Sequence, residues 1–260
     1  MSNIIGVGII TCNRLTLFEK CLASIPDADK IVVINDGKEY PNSVYSSKLG
    51  EIFQHKENMG VGRSKNDALK YLMRQKCRYI FLCEDDIFIK NKNVFDAYIN
   101  LSEKSGIQHL NYAYHGPANK DTAGNPNPRK IIEEISLNNH LTGAFSFYTD
   151  EIINKVGLID ERFRNAYEHV DHTYQIIRAG YHPPFWWFAD LANSYEYIMD
   201  QYDNNRKSVI RKNLLFWKIN MRLNAYRFKI KNGFTPNDIP DCSENEVLES
   251  LNKIKILKGK

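Results

Sequence analysis

Apolar residues fall in short runs separated by polar clusters, and their spacing predicts strands alternating with helices. Ile4 to Thr11 is rich in Ile and Val and reads as a buried strand. Leu15 to Ser24 has helical spacing, with Leu15, Phe18 and Leu22 on one face. Lys30 to Asn35 (KIVVIN) is a second buried strand closed by Asp36-Gly37, and Glu51 to His55 is a short third. Gly62 to Arg74 reads as a helix whose apolar side is Ala68, Leu69 and Leu72. Arg78 to Cys83 (RYIFLC) is another strand and Val94 to Leu101 another helix. Gly116 to Pro128, dense in Gly, Asn and Pro, is a long loop of the kind used as a lid or left mobile. Leu141 to Tyr148 returns to strand character. Asp150 to Val156 is a short helix capped by Thr149 or Asp150, and Val170 to Ala179 is a helix stopped by Gly180 and Pro183-Pro184.

This alternation implies an α/β fold with a largely parallel, doubly wound sheet. In such sheets ligands bind beyond the carboxyl ends of the strands. The residues directly after the strands are therefore the candidate site: Thr11-Cys12-Asn13-Arg14, Asn35-Asp36-Gly37 and Glu84-Asp85-Asp86.

Composition changes this picture little. The 260 residues are 43% hydrophobic and 25% charged, ordinary for a globular chain with a buried core. Five scattered cysteines form no CxxC pair, which argues against a zinc site or disulfide framework and fits a reducing compartment. The first residues lack the basic-then-apolar pattern of a signal peptide. No apolar run reaches the roughly 18 residues needed to span a bilayer. The expected location is the cytoplasm, with the inner face of the membrane as a variant of it. Net charge is +4, and its distribution matters more than its size. From Asn204 to Asn237 there is no Asp or Glu but nine Lys and Arg. Interleaved Leu214, Leu215, Phe216, Trp217, Ile219, Leu223, Tyr226 and Phe228 make Arg206 to Lys231 one or two amphipathic helices. Such helices pack on a core or an oligomer partner, or lie on a membrane surface; residues 204–231 are the candidate for peripheral membrane contact. Thr235 to Glu244 reads as a linker and Glu246 to Leu257 as a last helix.

Glu84-Asp85-Asp86 is the strongest chemical signal. Adjacent carboxylates repel, and at the end of a buried strand they become tolerable if a divalent cation and hydrogen-bond donors share their charge. Magnesium and manganese suit oxygen ligands and usually keep substrate phosphates in their shell. The competing reading is a solvated acidic turn. Asp36 ends a strand as a turn residue or accepts hydrogen bonds from a base or ribose. Asn58 to Asn66 is a glycine-containing loop entering a helix, where amides and Arg63 face an anion. Glu168-His169-Val170-Asp171 opens a helix, either as dipole-favoured carboxylates or as a general base. Histidine has the intrinsic pKa for that work near neutrality. Trp186-Trp187-Phe188 reads as core or sheet edge, with sugar stacking by one tryptophan as the alternative.

The order of these pieces resembles glycosyltransferase family two, over about residues 4 to 190. The resemblance rests on Thr11-Cys12-Asn13-Arg14, Asn35-Asp36-Gly37, the N-x-G-x-x-x-x-x-N loop Asn58 to Asn66, and Glu84-Asp85-Asp86 in the place of a DxD metal motif. It continues through Thr142-Gly143-Ala144-Phe145, Val156 to Phe163, Glu168 to Asp171 and Arg178-Ala179-Gly180-Tyr181. Glu84-Asp85-Asp86-Ile87 is also similar to the EDD motif of N-glycan-branching N-acetylglucosaminyltransferases, whose last aspartate binds the metal. The resemblance implies a GT-A type doubly wound mixed sheet over residues 1–200 and a basic helical extension over 201–260. It implies a hexosyl- or N-acetylhexosaminyltransferase using Mn²⁺ or Mg²⁺ and a UDP-sugar, with inversion. The acceptor would be a hydroxyl of a glycan or lipid-linked saccharide, in bacterial surface polysaccharide synthesis. Thr11, Asn13, Arg14, Asp36, Asn58, Arg63, Asn66, Asp85 and Gly143 would hold the donor, and Glu84 and Asp86 the metal. Where the family reads E-D-x-D, this chain has His169, so the base is Glu168, His169 or Asp171; His182 is the candidate further metal ligand. A nucleotidyltransferase would want a glycine-rich loop after the first strand, which Thr11 to Arg14 lacks. A non-catalytic carbohydrate-binding scaffold would not need both acidic clusters. No nucleic-acid-reading motif is present.

Overall fold

A computed structural model describes residues 3–45, 50–201 and 214–259 of the chain. Strand β1 (Ile5–Thr11) leads to helix α1 (Leu15–Ser24), strand β2 (Lys30–Asn35) and strand β3 (Glu51–Gln54). Helix α2 (Val61–Arg74) returns the chain to β4 (Tyr79–Glu84), followed by the short β5 (Ile87–Ile89) and α3 (Val94–Ser105). Three further short strands follow: β6 (His109–Asn111), β7 (Lys130–Ile132) and β8 (Ile135–Asn138). The second half contains β9 (Phe145–Thr149), α4 (Asp150–Val156), α5 (Glu168–Arg178), β10 (Phe188–Leu191), α6 (Ser194–Tyr197) and β11 (Ile198–Asp200). Helices α7 (Leu214–Asn232) and α8 (Glu244–Lys258) end the described chain.

The central sheet has the order β3-β2-β1-β4-β9-β6. Its first four strands are parallel, whereas β9 runs antiparallel to both β4 and β6. The sheet is therefore mixed, an α/β architecture of GT-A type. Alternation along the strands feeds two cores. Val7, Ile9, Phe81 and Phe147 point to α1 and α3, while Ile10, Ile34, Ile80 and Leu82 point to α2, α4 and α5. Gly8 lets α2 approach β1 closely, since a Cβ there would sit 2.7 Å from that of Ala68.

The strand at Leu141 begins later than its composition predicts. Residues 141–144 are irregular because Thr142 Oγ1 donates to Tyr112 O and Gly143 O accepts from Lys65. Thr149 caps α4, its hydroxyl accepting from Ile152 N. Trp187 is core, 2% exposed, with its indole N–H on Asp241 and Cys242 of the segment before α8.

Helix α7 packs through Phe228, whose ring meets Phe163, Tyr167, Tyr174 and Phe234. Helix α8, opened by a Ser243–Glu246 capping box, buries Val247 and Ile254 against the α3 side. Arg206, Lys207, Arg211 and Lys212 of the basic segment lie outside the described residues. Among the described residues no helix is long and apolar enough to cross a membrane.

Candidate active site

The parallel register sets Ile10 opposite Glu84, so the ends of β1 and β4 meet. Thr11 Oγ1 donates to Asp85 Oδ2 at 2.6 Å. Arg14, at the start of α1, pairs with Asp85 and donates from Nη1 to Asp86 Oδ2 at 2.8 Å. Burial pushes the Asp85 carboxyl up to about 7, with Arg14 opposing and Asp86 adding to the rise. Burial also acts on Asp86, but there Arg14 and His115 outweigh it and the pKa falls. Asp86 Oδ1 is buried and accepts no hydrogen bond among the described residues.

His115 and Asp200 complete this end of the site. Strand β11 runs antiparallel to β5 with Asp200 opposite Ile87, and His115 Nδ1 lies 2.8 Å from Asp200 Oδ1. Gln201 closes the contact: its backbone N–H donates to Asp86 O and its side chain to Asp85 O. No sequence signal singled out His115 or Asp200, because they come from a loop and a strand far from the acidic run.

A divalent cation fits these residues in one respect that can be tested by geometry: Asp86 offers a buried oxygen with a free lone pair. Among the described residues no group of three or more His, Cys, Asp or Glu is arranged to hold a metal. Asp86 thus offers one open carboxylate oxygen among the described residues of the acidic run, and Mg²⁺ or Mn²⁺ take one or two protein carboxylates with phosphate and water.

Lys65 of α2 organises the other end. It is 2% exposed; its ammonium donates to Gly143 O at 2.8 Å and lies 2.9 Å from Glu84 and 3.6 Å from Glu168. Burial opposes its charge, but Glu84 and Glu168 outweigh burial and hold it protonated. Glu84 is thus placed on Lys65, apart from the Arg14 contact of Asp86. Glu168 opens α5 after Tyr167, which adopts a left-handed φ of 68°. Burial alone would raise the Glu168 pKa, yet the His169 ring in its charged form and then Lys65 hold it at about 2. His169 Nδ1 lies 3.0 Å from Glu168 Oε1, so in the neutral ring beside an ionised carboxylate Nδ1 carries the proton and Nε2 the lone pair. A Cβ at Gly143 would lie 3.0 Å from the His169 ring and 3.2 Å from Lys65 Nζ, so a side chain there would crowd both.

His169 lines a cavity of about 380 Å³ between α5, the β10 segment and α7. Tyr167, Phe185, Trp186, Trp217 and Met221 supply its apolar walls, and Asn139, His140 and Asn165 its polar ones. Apolar walls with a few convergent polar groups are the usual make-up of a small-molecule site.

Other candidates are placed differently. Asp36 accepts from Met59 N, Gly60 N and lies 2.7 Å from His55 Nδ1, so its carboxylate fixes the 58–60 loop. Asn13, at a left-handed φ of 56°, accepts from Lys38 N, and Asn58 donates to Asp36 O; both tie loops at the strand ends. Asn66 bonds both backbone groups of Ile159 and donates to the Glu161 carboxylate, and Arg63 pairs with Asp67 and Glu161. Asp171 is 1% exposed and bound by Lys231 of α7 at 2.6 Å. His182 is buried in the core, its Nδ1 donating to Pro183 O and its Nε2 accepting from Ala189 N, so it has no lone pair left for a metal. The structure brings together Thr11, Arg14, Asp85 and Asp86 at one end, and Glu84, Gly143, Glu168 and His169 around Lys65 at the other.

No protein-family model matches the chain. A curated relative, the uncharacterized glycosyltransferase R363 of Acanthamoeba polyphaga mimivirus, is 27% identical over 154 residues. That alignment covers 57% of this chain and 56% of the relative, so the chain matches about half of the relative's length. Among the solved structures that share the fold are two transferases. The mannosyltransferase PcManGT from Pyrobaculum calidifontis, in complex with GDP-Man and Mn²⁺, aligns over 97% of this chain and 69% of its own, with TM-score 0.55 and 11% identity. GalNAc-T7 with UDP, GalNAc and Mn²⁺ aligns over 97% of this chain and 55% of its own, with TM-score 0.57 and 13% identity.

Proposed function

We propose that this chain is a metal-dependent, inverting glycosyltransferase that moves a hexosyl or N-acetylhexosaminyl group from a UDP-sugar to a hydroxyl of a glycan or lipid-linked saccharide, in surface polysaccharide assembly. The observation that carries it is the adjacency, at the carboxyl ends of β1 and β4, of an acidic pair with a free oxygen and a buried Lys65–Glu168–His169 chain that opens on an aromatic cavity. The mimivirus relative, named a glycosyltransferase, and the nucleotide and Mn²⁺ in the two solved transferases support the same reading.

In this reading Asp86 would hold Mn²⁺ or Mg²⁺, which would supply positive charge to a nucleoside diphosphate leaving group. Arg14 exchanges its carboxylate partners for the diphosphate, and Thr11 with Asp85 orients the nucleoside. His169 Nε2 takes the proton from the acceptor hydroxyl as that oxygen attacks the anomeric carbon. Glu168 fixes the imidazole tautomer and stabilises the imidazolium that forms. Lys65 keeps Glu168 ionised, which requires this buried carboxylate to have a cationic partner. The cavity's aromatic walls receive the acceptor's apolar face and its Asn and His edges the hydroxyls.

Calorimetry of UDP with and without Mn²⁺, on wild type and Asp86→Ala, tests the donor half. Metal-dependent binding that disappears in the variant is the expected result. Silence of wild type toward UDP, GDP and CDP alike would sink the proposal.

A further inference from the structure

Helix α7 is apolar on two opposite faces, and among the described residues only one of them packs on the rest of the protein. Phe228 and Asn224 are fully buried, and Trp217 and Met221 line the cavity. On the other side Leu215, Ile219, Leu223, Tyr226 and Ile230 are 70%, 47%, 49%, 63% and 66% exposed. At the α-helical step these five fall within an arc of ~80°, opposite the buried face. Lys218, Arg222 and Lys229 flank the arc on one side and Arg227 on the other. Lys218, Arg222 and Lys229 are exposed, and of the three Lys229 is near enough to Asp238 to lower that carboxyl's pKa. A continuous apolar stripe on a surface helix marks an interaction site rather than scattered exposure.

We propose that this outer face of α7 docks on an anionic lipid bilayer, with the five apolar side chains entering the headgroup boundary and the flanking cations meeting lipid phosphates. Charge decides the occupant. The chain has no Asp or Glu from Asn204 to Asn237 and nine Lys and Arg. Two copies of this helix placed stripe to stripe would oppose cation to cation with no carboxylate between them. An anionic surface attracts both the cations and, once close, the apolar stripe. The inner face of the same helix walls the cavity beside His169, so docking brings that cavity to the membrane. The inference rests on exposure and charge alone and stands whether or not the chain transfers sugar.

The test is co-sedimentation of the full chain with phosphatidylcholine vesicles, with and without phosphatidylglycerol. Wild type binds the anionic vesicles, and binding falls with added salt. The triple variant Lys218→Gln/Arg222→Gln/Lys229→Gln binds roughly a hundredfold more weakly, about fivefold per cation removed. The stripe variant Leu215→Ser/Ile219→Ser/Tyr226→Ser/Ile230→Ser loses at least about tenfold while its unfolding midpoint stays near wild type, since these side chains face outward. If the stripe variant fails to fold, the glutamine variant still decides. Wild type that ignores anionic vesicles, or variants that bind them equally well, overturn the proposal. So does a wild-type dimer that the stripe variant abolishes, because it assigns the face to a second copy.

Discussion

Acidification should destabilise the fold through His182, by an amount that follows from its contacts. The ring is 1% exposed, donates from Nδ1 to Pro183 O at 2.8 Å and accepts at Nε2 from Ala189 N at 3.2 Å. Those two bonds satisfy the neutral imidazole; a second ring proton would face the Ala189 N–H. Burial pushes the pKa down to about 4, and the Pro183 carbonyl only partly opposes it. The unfolded chain protonates this ring near 6.5. Between those values the unfolded state binds more protons than the folded one, so stability rises with pH and is lost as pH falls from ~6.5 toward 4. Moving from pH 7 to pH 5 should cost about 2 kcal/mol from His182 alone. His109 and His172, also pushed down by burial, act in the same direction. Urea unfolding at both pH values, on wild type and His182→Gln, isolates the contribution: wild type should lose about 2 kcal/mol more than the variant over that interval. Equal losses would show that His182 is not held neutral. Stabilisation by Mn²⁺ that requires His182 would refute the core assignment and restore a metal role.

His169→Ala should lower kcat by roughly 10²–10⁴-fold while UDP affinity by calorimetry stays unchanged. Lys65→Met leaves Glu84 and Glu168 without their shared cation and should cost about 3–5 kcal/mol in urea unfolding. Trp217→Ala opens the cavity wall and should raise the acceptor KM without altering UDP affinity; a fall in UDP affinity instead would place the donor, not the acceptor, in that cavity.

Where the hydrophobic pattern is local and long, the elements are legible from the chain. The bounds of α1, β2 and α4 match their periodicity residue for residue. Apart from Glu51–Gln54, the strands of three or four residues are not legible. Ile87–Ile89 is a strand only because Ile198–Asp200 lies beside it, over a hundred residues later. The β8 strand likewise owes its existence to β7 and β10. The strand-end rule located Thr11, Arg14, Asp85 and Asp86 together. It passed over Lys65, whose position on a helix gives no hint that its ammonium is buried between two carboxylates. It equally favoured Asp36, and the family resemblance Asn66 of α2, yet both bond backbone groups of neighbouring loops. A polar residue at a strand end serves a ligand or a loop, and only its partners distinguish the two.

The acidic run itself changes meaning once those partners are known. From sequence, three adjacent carboxylates after a buried strand imply a cation to share their charge. The protein supplies that cation twice from its own chain: Arg14 spans Asp85 and Asp86, and Lys65 spans Glu84 and Glu168. A third, Lys231, meets Asp171 and Asp160. Each cation comes from a different helix, so the charge balance also fastens α1, α2 and α7 around the sheet end. The cluster is therefore sustainable without any metal, and its existence is no argument for one. What points to a metal is Oδ1 of Asp86, which, like Oε2 of Glu168, is buried and accepts no hydrogen bond among the described residues. A buried acceptor without a partner is costly unless something completes it. A hard cation carrying phosphate ligands is a group of the right charge and donor preference to do so.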